Sequence, residues 1–272
     1  MEFSAYSCQN FTYNHMRHEN FDFDFIEPQT HNGYELIFIK QGKLEYIIED
    51  KIYTVGENDI IFTNPGMLHR INFLNHEEYD RYDILFDKKI IHPEIFDKIP
   101  KDSDIFYIKK PKKIEEIFKK MDFYCDNFKN SALENILTHA IDEIFYNLLL
   151  MKEQTVERIY TSHPIVTKAV HYIEENLSND LCVEKICNEL FITKSYLNKL
   201  FNRYLRITPG KYVTSKRLIA AQREIILGIN PTQVFEKFGF LEYSTFYRNY
   251  KDYFGYSPSE ENSKVIERRI DI

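Results

Sequence analysis

The chain has 272 residues, 43% hydrophobic and 28% charged, with a formal net charge of −7. That length suits about two globular domains. No apolar run reaches the roughly 18 residues of a membrane-spanning helix, and the start Met1-Glu-Phe-Ser lacks the basic and apolar regions of a secretory leader, so a cytoplasmic protein without membrane contact is expected. The charge is uneven: residues 1–162 hold 19 Lys+Arg against 29 Asp+Glu (−10), and residues 163–272 hold 16 against 13 (+3). Only the C-terminal part is suited to a polyanion, and its modest balance predicts weak non-specific affinity and reliance on correct docking. Cys8, Cys125, Cys182 and Cys187 have no metal-ligand spacing and read as free, mostly buried thiols.

Residues 31 to about 87 read as short strands. Glu35–Lys40 ends at the turn Gln41-Gly42, and Glu45–Ile48 ends at Glu49-Asp-Lys51. Ile52–Val55 ends at Gly56, Asp59–Thr63 at Asn64-Pro-Gly66, and Tyr79–Phe86 is a further strand. Strands with turn signals every 8–12 residues predict a small barrel or sandwich. From about Pro111 the period changes to that of helices. Ile114, Ile117, Phe118, Met121 and Cys125 form one stripe. Leu133, Ile136, Leu137, Ala140, Ile141, Ile144, Phe145 and Leu148 form a second after a break near Asn130. The second stripe is wide enough to serve a partner too, so a homodimer through the helix around Leu133–Leu149 is expected. Lys152–His163 is polar and non-periodic, which marks a linker.

The C-terminal half is nearly all helical. Val166, Ala169, Val170, Ile173 and Leu177 share one face of a first helix. Two similar segments follow about fifty residues apart, Leu181–Phe201 and Thr232–Tyr250. Each reads as a short helix, a tight turn and a second helix with an apolar inner stripe and a polar outer face. That is the pattern of a helix-turn-helix, whose second helix enters the DNA major groove. Thr193 is placed to N-cap the first recognition helix. Thr208-Pro209 starts a long helix that stops at Gly228, and Asn230-Pro231 starts the next. Ser257-Pro-Ser-Glu260 has capping-box spacing. A connecting helix of about 17–18 residues spans roughly 26 Å, enough with its flanking turns to hold two recognition helices one turn of B-DNA apart.

On the first recognition helix Lys194, Ser195, Asn198 and Lys199 lie opposite Tyr196, Leu197, Leu200 and Phe201. On the second, Tyr243, Ser244, Tyr247 and Arg248 face outward. Asn can pair with adenine and Lys or Arg with guanine. For Arg248 three partners are open: a guanine, a phosphate or an internal carboxylate. Lys194, Arg203 and Lys251 are candidates for phosphate, which positions the protein without specifying sequence.

These residues resemble the AraC/XylS transcription regulators, most strongly over about Ile165–Glu260. The most specific run is Gly239-Phe240, Ser244-x-Phe246-x-Arg248-x-Tyr250 and Tyr253-Phe-Gly-Tyr-Ser-Pro258. Two positions depart from the family pattern. Arg206 stands where a glycine usually closes the first recognition helix, and Phe235 stands where a small residue is usual. The N-terminal half resembles the family's cupin barrel through His31-Asn-Gly-Tyr-Glu35, Gly42, Asn64-Pro-Gly-Met-Leu-His69 and Tyr79–Tyr82.

The resemblance implies an α+β chain of two domains. Residues 1–151 form a cupin-like effector-binding and dimerisation domain with a helical hairpin, 152–163 a linker, 164–262 an all-α DNA-binding domain with two helix-turn-helix motifs, and 263–272 a tail. It implies a DNA-binding regulator rather than an enzyme, with RNA polymerase as a partner. By the same analogy Ser195, Asn198 and Lys199 are the base-edge residues of the first motif. His31, Glu35 and His69 match three of the four metal ligands of catalytic cupins, with Gln29 where the fourth is expected. The set is open to three readings: a polar small-molecule pocket, a structural network, or a metal triad. No cofactor is assigned. Tyr34, Tyr46 and Tyr82 are candidates for stacking on a sugar or aromatic effector. Control by a protein partner or by dimerisation, and a metal-dependent cupin enzyme tethered to DNA, are the alternatives to a small-molecule effector.

Overall fold

The computed structural model describes residues 2–22, 24–76, 78–98, 105–151, 155–157 and 160–263. They divide into two compact units, the first covering most of residues 1–160 and the second running from Thr161.

The first unit contains β1 (Glu2–Ser7), β2 (Phe11–Glu19), β3 (Phe25–Gln29), β4 (Tyr34–Gln41), β5 (Lys43–Ile48), β6 (Lys51–Gly56), β7 (Asp59–Thr63), β8 (His69–Phe73) and β9 (Glu78–Phe86). After these come α1 (Pro93–Phe96), β10 (Ile105–Ile108), α2 (Lys112–Asn127), α3 (Asn130–Leu150), β11 (Thr155–Glu157) and β12 (Tyr160–Thr161). Among the described residues the ladders form two sheets, β1-β2-β9-β4-β7-β10-β11 and β12-β6-β5-β8-β3.

Period-two alternation in the seven-stranded sheet builds two cores. On β4 Tyr34, Leu36 and Phe38 face the helices, as do Phe11 and Tyr13 of β2 and Tyr82, Ile84 and Phe86 of β9. There they meet Ile114, Phe118 and Met121 of α2 and Leu137, Ile141 and Phe145 of α3. The alternate residues Ile37, Ile39 and Ile61 face the five-stranded sheet and pack with Leu44, Tyr46, Ile48, Ile71 and Phe73. A one-residue slip of β4 would exchange these two sets, so the hydrophobic pattern itself fixes register.

Three expectations change. The α3 stripe is already used: Leu133, Leu137, Ala140, Ile141, Ile144 and Phe145 are buried inside their own unit, and the exposed large apolar residues of α3 are Tyr146 and Leu150. The segment read as a linker contains β11, which pairs with β10, and β12, at which the first unit ends. Edge strands take their partners through backbone groups, so a polar sequence without periodicity can still supply them. All four thiols are free, but only Cys187 is buried, and Cys182 is exposed. Of the expected tail only Ser263 lies within the described residues.

The second unit contains α4 (Pro164–Glu175), α5 (Val183–Glu189), α6 (Lys194–Tyr204), α7 (Pro209–Ile226), α8 (Pro231–Lys237), α9 (Tyr243–Phe254) and a 3₁₀ turn (Pro258–Ser263). The expected caps form. Thr193 Oγ1 accepts from the Tyr196 amide at 3.2 Å, Thr208 Oγ1 from Lys211 at 3.3 Å, and Asn230 Oδ1 from Thr232 at 2.9 Å. The Ser257 amide donates to Glu260 Oε2 at 2.8 Å, the side-chain half of a capping box. The core around the second motif joins Leu218, Ala221 and Ile225 of α7 to Val234 of α8 and Phe246 and Tyr250 of α9. Phe235, the larger residue, is accommodated at the edge of this core, with its ring 5.6 Å from Tyr243 and 6.4 Å from Phe246.

Candidate DNA-reading face and ligand cluster

Each recognition helix is held by its apolar side and presents the other. On α6, Leu197, Leu200 and Phe201 are buried, and Lys194, Ser195, Lys199 and Arg203 are exposed, with Asn198 half-buried beside them. On α9, Phe246 and Tyr250 are buried, and Ser244, Tyr247, Arg248 and Lys251 are exposed. Arg248 Nε donates to the Ser244 carbonyl one turn back at 3.4 Å. Among the described residues no carboxylate pairs with Arg248, so the internal-carboxylate alternative has no support here. Lys194 pairs with Glu184 of α5 at 2.7 Å, an exposed contact of little weight for stability.

Two placements differ from expectation. Tyr196, expected on the apolar side, is 42% exposed at the start of α6 and adds an aromatic to the outward face. Tyr243, expected outward, is half-buried, with its ring against Phe235, Phe246 and Tyr247, and burial raises its phenol pKa.

Arg217 of α7 makes a set of contacts that sequence reasoning missed. Its guanidinium donates to the carbonyls of Leu177 (3.2 Å), Asn179 (2.9 Å) and Leu181 (3.4 Å), which lie between α4 and α5, and to Gly239 (3.2 Å), in the turn before α9. Gly239 has φ +71°, and a Cβ there would stand 2.6 Å from Arg217 Nη2, so a side chain at this position strains the backbone and must displace the guanidinium. One side chain thus ties the turn of the second motif to the approach to the first. Only Gly239, whose backbone lies against this guanidinium, gave a sequence signal.

In the first unit, the space between the two sheets has a polar end. Glu35 of β4 is 1% exposed. Its Oε2 accepts from Tyr46 Oη of β5 at 3.1 Å and lies 3.2 Å from His69 Nε2 of β8, and its Oε1 lies 3.7 Å from His31 Nε2. Thr63 Oγ1 is 3.5 Å from the Tyr46 hydroxyl, and Gln29 of β3 sits opposite His69 in register. Four expected residues, His31, Glu35, Tyr46 and His69, therefore come together. Tyr34 and Tyr82 do not: both lie on the opposite face of the seven-stranded sheet. Tyr34 packs on Phe62, Phe86 and Phe96, and Tyr82 on Phe38 and Phe118. Alternation along β4 and β9 separates these rings from Glu35. Further buried polar groups were missed. Asn14 and Thr12 of β2 and Arg81 and Asp83 of β9 alternate with the helix-facing residues of those strands. The period-two pattern of Phe11-Thr-Tyr-Asn-His-Met was the available signal.

The helix-facing side holds a separate ionic cluster. His15 of β2 donates to Asp122 of α2 at 2.8 Å and to Asp80 of β9 at 2.9 Å. Tyr13 donates to the same Asp122 at 2.6 Å, and Lys40 to Asp80 at 2.7 Å. Burial works against the charged imidazole, but the two carboxylates outweigh it and push its pKa up to about 9.

A tandem helix-turn-helix unit following a β-sheet unit with a buried polar cluster has the architecture of a two-domain DNA-binding protein. A family model described as an AraC-like ligand binding domain matches residues 16–103, and one described as a helix-turn-helix domain matches residues 186–263. The chain belongs to the AraC/XylS family of DNA-binding transcription regulators. It is 30% identical over 133 residues to the raffinose operon transcriptional regulatory protein of Pediococcus pentosaceus, covering 48% of each chain. It is 26% identical over 143 residues to the XylDLEGF operon transcriptional activator of Pseudomonas putida, covering 50% of this chain and 44% of that one. The matched region thus spans about half the length of these curated relatives. The crystal structure of ToxT from Vibrio cholerae superposes over 96% of this chain and 100% of its own at 16% identity and a TM-score of 0.42.

Proposed function

We propose that the chain is a sequence-specific transcription regulator, acting as an activator, in which a polar small molecule such as a sugar or related metabolite binds the N-terminal unit and alters DNA binding by the C-terminal unit. The observation that carries this reading is the doubled motif. Two recognition helices in one unit each present a polar face with Asn, Lys or Arg, and they are joined by an 18-residue helix about 27 Å long. Ser195, Asn198, Lys199, Ser244, Tyr247 and Arg248 read base edges, with Tyr243 at the margin. Lys194, Arg203 and Lys251 hold phosphates.

The effector docks at the polar end between the sheets, on His31, Glu35, Tyr46 and His69. Two imidazoles, a carboxylate and a phenol in a nearly dry site offer orientation and specificity to a hydroxylated ligand. The effector acts by binding the DNA-competent and incompetent states with unequal affinity. A homodimer built on α3 uses Tyr146 and Leu150, because its other large apolar residues are wholly or partly buried in the core. RNA polymerase is the partner at the promoter. Control by a protein partner is a second reading, favoured by the apolar fill of Tyr53, Val55, Phe73 and Tyr79 between the sheets away from Glu35.

The test is selection of bound sequences from a random DNA pool with the full-length chain, followed by footprinting. The expected outcome is an asymmetric site with two contacts one helical turn apart. Absence of enrichment both from the full chain and from residues 163–272 overturns the proposal.

A further inference from the structure

We propose that the N-terminal unit binds one divalent transition-metal ion of the zinc class through His31 Nε2, the Glu35 carboxylate and His69 Nε2. The ligand atoms of these three residues all lie within 4.8 Å of one another. Their side chains are 6%, 1% and 4% exposed, unlike a solvated acidic cluster. Two ligands held about 2.0–2.1 Å from a tetrahedral ion stand roughly 3.3–3.4 Å apart. The observed separations from the carboxylate, 3.2 Å for His69 and 3.7 Å for His31, bracket that value. Imidazole with a single carboxylate favours zinc and its neighbours in the first transition row over calcium or magnesium.

The tautomer of His69 strengthens the assignment. Its Nδ1 lies 3.0 Å from the Met67 carbonyl, which can only accept, so Nδ1 carries the hydrogen. In its neutral form the ring turns the lone pair of Nε2 toward a carboxylate oxygen 3.2 Å away. Two electron-rich atoms at that distance need a cation between them, either a proton or a metal. A backbone carbonyl that fixes the far nitrogen of a histidine is the outer-shell arrangement that orients ligands to zinc. The Tyr46 hydroxyl does the same for Glu35, donating to Oε2 at 3.1 Å.

The three ligands come from both sheets: Glu35 lies on β4, His69 on β8, and His31 four residues before Glu35. An ion here pins the two sheets together at their polar end and keeps a fourth position for water or a ligand oxygen. The inference goes beyond the regulatory reading and needs neither an effector nor DNA.

The test uses full-length protein stripped of metal by a chelator and dialysed free of it. Co²⁺ is titrated while visible d–d absorption is recorded, and Zn²⁺ affinity is measured against a chromophoric chelator. The expected result is one equivalent per chain, a cobalt spectrum without thiolate charge transfer, and a shift of the His31 and His69 Nε2 resonances with zinc. His69→Gln and Glu35→Gln each weaken binding on the order of 100-fold or more, while the control variants His76→Gln and Cys182→Ser leave it unchanged. The nitrogen resonances are read on the unmodified chain, so the test survives a variant that does not fold. Failure of the unmodified chain to take up one equivalent overturns the proposal. So does uptake undiminished in His69→Gln, or a His69 ring that keeps hydrogens on both nitrogens in excess zinc. The DNA-selection result is unaffected by any of these outcomes.

Discussion

The chain contains its own control for a strained helix end. Both recognition helices close on a residue in the left-handed region followed three positions later by proline. After α9 this is Gly255, at φ +86°, in Gly255-Tyr-Ser-Pro258. After α6 it is Arg206, at φ +54°, in Arg206-Ile-Thr-Pro209. A side chain in that conformation costs about 1–2 kcal/mol, and glycine gives back about 0.5–1 kcal/mol through its larger unfolded-state entropy. Arg206→Gly should therefore stabilise the helical unit by about 0.5–1 kcal/mol. Arg206 is exposed, so little packing is lost. For a domain of about 100 residues this raises the melting temperature by about 2–8 °C. Gly255→Arg should reverse the sign and cost about 1 kcal/mol or more. Far-UV circular dichroism of the full chain reads the melting shift, and amide exchange in α6 and α7 places it. Arg206→Gly melting at or below the parent temperature, with unchanged α6 exchange, would refute the assignment of strain to this position.

Other consequences follow from the same geometry. His15 has its folded pKa raised from 6.5 to about 9, so its pairing with Asp80 and Asp122 contributes fully below pH 6.5 and is lost as pH rises through about 9. The difference is at most about 3 kcal/mol, and denaturant melts of the parent and His15→Gln across that range should converge at the alkaline end. Arg217→Lys keeps the charge but loses the planar fork. Specific DNA affinity should fall more than non-specific affinity, and tolerance for altered spacing between the two half-contacts should rise. Binding assays on a series of spacer-length DNAs check this, and an unchanged spacing profile would count against a positioning role. Arg248→Ala should cost about 1–3 kcal/mol of specific binding and relax choice at one base pair if it reads guanine. Lys251→Ala should weaken all sequences alike and lower the salt slope by about 1. Salt-dependent titrations on matched and mutated sites separate the two roles.

The helical half was read closely because its signals are local. Thr193, Thr208-Pro209 and Asn230-Pro231 announce helix starts within one turn, and the apolar period of Leu197, Leu200 and Phe201 fixes the buried face of α6. The β half was legible only in part. Strands β4 to β7 and β9 carry apolar alternation and turn residues. In β2 the residues between Phe11, Tyr13 and His15 are polar yet buried, so the strand lacks the contrast of apolar inside and exposed polar outside that marks a half-buried strand. Short edge strands such as β11 have no side-chain signature. The same limit explains the polar cluster. His31, Glu35 and His69 were recognised through the resemblance to the metal ligands of catalytic cupins. That Tyr46 joins them and Tyr82 does not depends on which face each strand turns inward, and this is settled only when the sheets pair.

Arg217 marks the difference between recognising two motifs and explaining how they could work as one. A pair of helix-turn-helix units on a bare connecting helix would be free to twist about it, and each freedom lost on binding two grooves would reduce affinity. Here one guanidinium holds Leu177, Asn179 and Leu181 on one side and Gly239 on the other. Gly239 has no Cβ, which lets the second turn close to that guanidinium. A substitution at Gly239 must move Arg217, and a substitution at Arg217 releases the turn before α9. The two positions should therefore couple in DNA binding: Gly239→Ala and Arg217→Lys together should cost less than the sum of each alone. Strict additivity would mean that the recognition helices are held apart by α7 itself.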